Sequence, residues 1–136
     1  MNQERRIVMC EAKEIAMKFL DCWRDREWYE MLEYTQISWN KLNKRPATRL
    51  KAIFGWAELK SYKMARAKKI TDVCYDIKVE IRYPTIGGKY IDDTVTLRVI
   101  CEIGYMKPDV EGAWGVNPQS LFRDNKRREN ENPTIV

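Results

Sequence analysis

Two periodicities divide the chain. Near the start, Val8, Ala12, Ile15, Ala16, Phe19, Cys22 and Trp23 recur at spacings of three and four, which places one apolar stripe on a helix over residues 5–24. Further along, Val73, Tyr75, Ile77, Val79, Ile81 and Tyr83 alternate with Cys74, Asp76, Lys78, Glu80 and Arg82. Strict period two over this length predicts a strand with one buried and one wet face. Pro84 stops it and the "PTIGGK" stretch turns it, so the return strand puts Ile91, Val95, Leu97, Val99, Cys101 and Ile103 on the buried face. Asp92, Thr94, Thr96, Arg98 and Glu102 face the other way, accompanied by the apolar Ile100.

Between these regions the signals are shorter. In "DCWRDREWYEML" (21–32), Trp23 closes one apolar stripe and Trp28, Met31 and Leu32 open the next. The stretch predicts a tight corner between two helices, with Asp25 as N-cap of the second and Glu27 in its first turn, where the helix dipole favours a negative charge. The "NKRP" break at 43–46 precedes a third helix, capped by Thr48 and ending near Gly55, whose core residues are Leu50, Ile53, Phe54 and Ala57. "ELKSYKMARAKKI" (58–70) alternates imperfectly, as an edge or bulged strand does. After the loop "YMKPDVEGA", "WGVNPQSLF" predicts a last short strand with Pro118 at its end or on a sheet edge. Three helices followed by a curved antiparallel meander make an α+β domain over residues 1–122. The charged segment 123–136 has almost no apolar content and is expected to be a disordered tail.

Composition narrows the chemistry. The 136 residues are 44% hydrophobic and 33% charged, the balance of a single globular domain able to bury a core without metals or disulfides. No histidine occurs, which removes His-dependent triads, imidazole acid–base catalysis and His metal ligands. Cys10, Cys22, Cys74 and Cys101 show no CxxC spacing, so they read as small hydrophobes of a reduced, cytoplasmic protein. No metal or cofactor is expected. The N-terminus carries no apolar signal region and no run approaches a membrane span. The +5 net charge is uneven: residues 41–69 hold ten Lys and Arg against the single Glu58, leaving −4 elsewhere. Such a segment favours anionic partners, although a solvated lysine face accounts for the same residues.

The helix-end tryptophan, acidic turn and aromatic-led helix of "AMKFLDCWRDREWYEML" (16–32), with the closing "GAWGVNPQSL" (112–121), resemble the nuclear transport factor 2-like superfamily of cystatin-like α+β cones. The resemblance spans residues 5–122. It implies a pocket between helices and concave sheet, with isomerases, dehydratases and cyclases among its enzymes. Their acid follows the second helix, and the corresponding stretch here, "EYTQISWNKL", offers Gln36 and Ser38 instead. A neutral amide cannot serve as a general base, which weakens the case for proton-transfer catalysis.

The pocket candidates are Phe19, Trp28, Tyr75, Tyr83, Asp93 and Trp114, each with a core or surface role as its alternative. Asp93 is the one acid on the apolar face of its strand but lies near the glycine turn. Lys60, Lys63, Arg66, Lys68 and Lys69, with Tyr62, form a basic segment suited to tracking phosphates, without a nucleic-acid fold signature. Lys78, Glu80, Arg98, Ile100 and Glu102 are candidates for a homodimer interface on the wet sheet face. Three functions follow. The leading one is a non-catalytic domain that binds a small apolar ligand or another protein, as a homodimer. The second is a small isomerase, dehydratase or cyclase using carboxylate and tyrosine. The third is an accessory protein that meets nucleic acid or an acidic partner through residues 41–69.

Overall fold

The computed structural model describes residues 2–119, with side chains from Val8 onward, so the expected tail over 123–136 lies outside the described residues. The fold is α+β, with the helices preceding a five-stranded antiparallel sheet that does not close into a barrel. Helix α1 (Asn2–Asp25) lays its apolar stripe on the sheet and buries Ala12, Ala16, Phe19, Leu20, Cys22 and Trp23. It is followed by α2 (Trp28–Met31), a 3-10 turn (Leu32–Tyr34), α3 (Ile37–Leu42) and α4 (Pro46–Phe54).

The corner is made differently from the expectation. Asp25 is the last residue of α1 and not an N-cap; Glu27 occupies that position, without a side-chain cap bond. The backbone instead closes α1 in a Schellman arrangement. The Glu27 N–H donates to the Cys22 carbonyl (2.8 Å) and the Arg26 N–H to that of Trp23 (3.1 Å). Arg26 takes the left-handed conformation this turn demands (φ 58°), a position glycine usually fills. The third predicted helix begins at Pro46, not at a Thr48 cap, because proline needs no donor in a first turn and its φ is already helical. Between them α3 is an additional helix, too short for periodicity to reveal.

Trp23 ties this layer together. Fully buried, its indole N–H is shared between the carbonyls of Phe54 (3.0 Å) and Ala57 (3.1 Å), so the end of α1 holds the end of α4 and the chain leaving it. Its ring lies 5.0 Å from that of Phe54, which Phe19 meets edge-on at 5.4 Å.

The sheet runs β1 (Ser61–Thr71), β2 (Cys74–Pro84) and β3 (Tyr90–Gly104) in order, with β5 (Ala113–Asn117) also on β3 and the two-residue β4 (Lys107–Pro108) beside its end. β2 and β3 pair without interruption from Cys74↔Ile100 to Pro84↔Tyr90, and their alternate residues Tyr75, Ile77, Val79, Ile81, Val95, Leu97 and Val99 are buried. In β1 the register slips between Met64 and Arg66, which leaves Ala65 as an extra residue. Tyr62 and Met64 point inward before the bulge and Ala67 after it, so Arg66 and Lys68 face outward. An unbroken period of two would have driven both cations into the core. The Tyr62 hydroxyl crosses to α1 and donates to Asp21 Oδ1 (2.6 Å).

Trp23→Ala should cost on the order of 3–5 kcal/mol in urea denaturation, since it empties a large buried site and orphans two carbonyls; a change below about 1 kcal/mol would contradict the assignment. Burial first, then the hydrogen bond to Asp21, pushes the Tyr62 hydroxyl up from 10.0 to about 12. The neutral phenol is thus favoured by folding, and its contribution is complete below pH 10 and disappears as the pH rises through about 12. Ultraviolet titration of wild type against Tyr62→Phe should show that the missing transition is the late one.

Candidate functional site

The expected pocket residues are not gathered around one cavity. Phe19 is sealed in the core against Phe54, and Tyr75 (1% exposed) packs edge-on against Trp114 at 5.6 Å. Tyr83 meets Trp56 at 5.5 Å near the β2–β3 hairpin, whereas Trp28 lies on α2 under the Arg26 guanidinium. Asp93 is half-buried near that hairpin, where its Oδ1 accepts the Thr94 N–H (2.9 Å). A groove of about 390 Å³ opens between α2 and α4 and takes only Trp28 from this set.

Glu102 departs most from expectation. It alternates with Cys101 and so belongs to the outer face, yet it is 2% exposed. The start of α3 covers it: the Ser38 N–H donates to Oε1 (2.9 Å) and the Ser38 hydroxyl to Oε2 (2.6 Å). The same hydroxyl accepts the Met106 N–H (2.7 Å), which locks the turn after β3 onto α3. Two glycines permit this closure. A Cβ on Gly115 would come within 2.6 Å of the Thr35–Gln36 backbone, and one on Gly112 would collide with the Glu102 carbonyl. Each carboxylate oxygen has a donor and the Ser38 hydroxyl both donates and accepts, so this pair latches the fold and is not placed to attack a substrate. A carboxylate does reach Ser38, but from β3, some sixty residues along the chain. No local spacing signals that meeting.

On the rest of the outer face, the β1 residues with Lys78, Glu80 and Arg82 are exposed, whereas Cys74, Asp76, Thr94, Thr96, Arg98 and Ile100 are partly buried. Cross-strand partners set Lys63 opposite Glu80, Arg66 opposite Lys78 and Lys68 opposite Asp76. Asp76 is already engaged by Arg98 through two parallel bonds, Nε to Oδ1 (2.8 Å) and Nη2 to Oδ2 (2.9 Å). Arg82 reaches Asp92 at 3.3 Å. Among the described residues, Lys63, Arg66, Lys68 and Lys78 are exposed and belong to no ion pair. Directly opposed cations on neighbouring strands repel each other, and here Arg66 and Lys78 are so placed with two more free cations beside them. Lys69 leaves this group: it follows Tyr75 toward the inner face at the sheet end and pairs with Asp72 (2.6 Å). Lys60 is exposed, with its N–H on the Arg82 carbonyl. The basic segment 41–69 is therefore divided between the α3–α4 region and β1. The alternation of β2 places Lys78 among the dimer-interface candidates and gives no sign of the β1 cations, because only the bulge at Ala65 brings Arg66 opposite it.

Burial pushes the Cys22 thiol up to about 11, assisted by Glu30, Glu27, Asp21 and Asp25, and raises the Cys74 and Cys101 thiols as well. Protonated thiols are poor nucleophiles. No helix among the described residues is long and apolar enough to cross a membrane.

If the Ser38–Glu102 pair latches α3, Ser38→Ala should destabilise the protein by about 2 kcal/mol, the usual cost of a buried group left without its partner. A double-mutant cycle with Glu102→Ala should give a coupling above about 1 kcal/mol by urea denaturation. Strictly additive losses would mean that the two residues act independently.

A scan against protein-family models and a search of curated proteins return no match to this chain.

Proposed function

We infer that this is a non-catalytic protein-interaction domain whose outer sheet face receives an acidic segment of a partner. The observation that carries the reading is the group of four cations, Lys63, Arg66, Lys68 and Lys78, that form no ion pair among the described residues, with Arg66 opposed to Lys78. A carboxylate placed between them relieves a repulsion that the free domain bears, and the strand spacing offers successive cations about 7 Å apart along β1. The neighbouring Glu80 and Asp76 interrupt the positive charge, which suits a discrete acidic segment better than a continuous phosphate backbone. The inward side of Tyr62 also leaves the β1–β2 cations without an aromatic platform for stacking bases. The order of elements, helices and then long antiparallel strands, supports the nuclear transport factor 2-like resemblance as the origin of the scaffold.

Self-association is a second reading, favoured by a different place. A face with excess positive charge repels its own copy, and Ile100 on it is partly buried. Leu42, Ile103, Tyr105, Met106 and Val110 are exposed apolar residues of α3, the end of β3 and the following turns, and they suit a homodimer contact better.

Anisotropy titration of a labelled polyglutamate peptide with the full chain tests the first reading. Binding should weaken as salt rises, and Arg66→Glu with Lys78→Glu should weaken it by about tenfold or more, as removal of steering charges does. Lys51→Glu on α4 should leave it unchanged. Equal binding by the double variant would overturn the assignment to this face, and tighter binding of a single-stranded oligonucleotide would transfer the function to nucleic acid.

A further inference from the structure

Beyond that face, the corner between α1 and α2 holds an assembly that the interaction function does not use. Cys22 Sγ and one carboxylate oxygen from each of Glu27 and Glu30 all lie within 4.8 Å of one another. Cys22 is 6% exposed and its thiol has no hydrogen-bond partner among the described residues, yet it is directed at two carboxylates. The turn accounts for the meeting. In a capping box the residue at the third helical position reaches back to the N-cap N–H. Here the Glu27 N–H is spent on the Cys22 carbonyl, so the Glu30 carboxylate has no such donor to reach and stands beside that of Glu27. Neither glutamate forms an ion pair among the described residues. Asp21 and Asp25 add to the local negative field and both are contacted by Arg24. Arg26 is held over the Trp28 ring, and Lys51 stands on the α4 side of the groove that Glu27 and Glu30 line.

We propose that Cys22, Glu27 and Glu30 bind a zinc-class divalent ion at the α1–α2 corner, with the fourth coordination position open to the groove between α2 and α4. One sulfur and two carboxylate oxygens suit a borderline-soft, four-coordinate ion, and are a poor set for calcium or magnesium, which take oxygen ligands throughout. The two glutamates are exposed, so their side chains can rotate to complete the site around the buried sulfur. On binding, the Cys22 S–H proton leaves to solvent, the thiolate and the two carboxylates each donate an electron pair to the ion, and a water fills the open position. No redox change is involved.

Titration of the full chain with Co²⁺ reads the site directly, because a thiolate ligand produces a charge-transfer band in the near ultraviolet. A band saturating at one equivalent and removed by Zn²⁺ is expected for wild type and for Cys10→Ser. Cys22→Ala should abolish it. Because that variant alters the core, Glu27→Gln with Glu30→Gln provides a second test on exposed positions: it should weaken Co²⁺ at least tenfold while thermal melting in the absence of metal is retained. Absence of a band in wild type, its persistence in Cys22→Ala, or unchanged affinity in the glutamine variant would each overturn the site.

Discussion

The shared indole N–H of Trp23 is the interaction on which the helical layer depends. One donor satisfies the carbonyls of Phe54 and Ala57. It thereby positions the end of α1, the end of α4 and the chain that leads into β1. Removing it would disturb the corner, the aromatic packing of Phe19 and Phe54, and the approach of the first strand together. A ring this large in a fully buried position stabilises by apolar burial, while its polar edge determines which backbone segments meet there.

With the helices committed to one face, the sheet keeps two unlike surfaces. Leu97, Val95, Ile77 and Val79 occupy the packed side, and charges occupy the other. The bulge at Ala65 changes which residues of β1 belong to each side, so a small backbone irregularity decides the electrostatics of the exposed face. It also protects a long edge strand. Two register slips and the lysines along β1 discourage edge-to-edge pairing with another chain. Only at the far end does the outer face become interior, where Ser38 closes over Glu102.

Much of this was legible in the residues. The α1 stripe, the β2–β3 alternation, the bulged character of β1 and the short closing strand that stops before Pro118 all follow from local sequence signals, because each lies within a single element. The turn at Arg26 was not legible, since a left-handed residue there is usually glycine and arginine gives no such sign. Helix α3 escaped because six residues hold too few apolar repeats. Glu102 was misread for a deeper reason: alternation assigns the face of a strand, but not whether a distant segment covers that face. The four cations were visible individually, whereas the opposition of Arg66 to Lys78 depends on register across two strands. The pocket expected from the resemblance rested on residues that the structure distributes among the core, the hairpin and α2.

The central claim is that an acidic partner docks on the β1–β2 outer face and nowhere else on the domain. Backbone amide chemical-shift mapping of the ¹⁵N-labelled protein with an acidic peptide tests it most directly. The account predicts that shifts concentrate at Lys63, Arg66, Lys68 and Lys78 and their cross-strand neighbours, and fade as salt is added. Shifts centred on the α2–α4 groove or on the turn at Met106, with β1 and β2 unmoved, would contradict it.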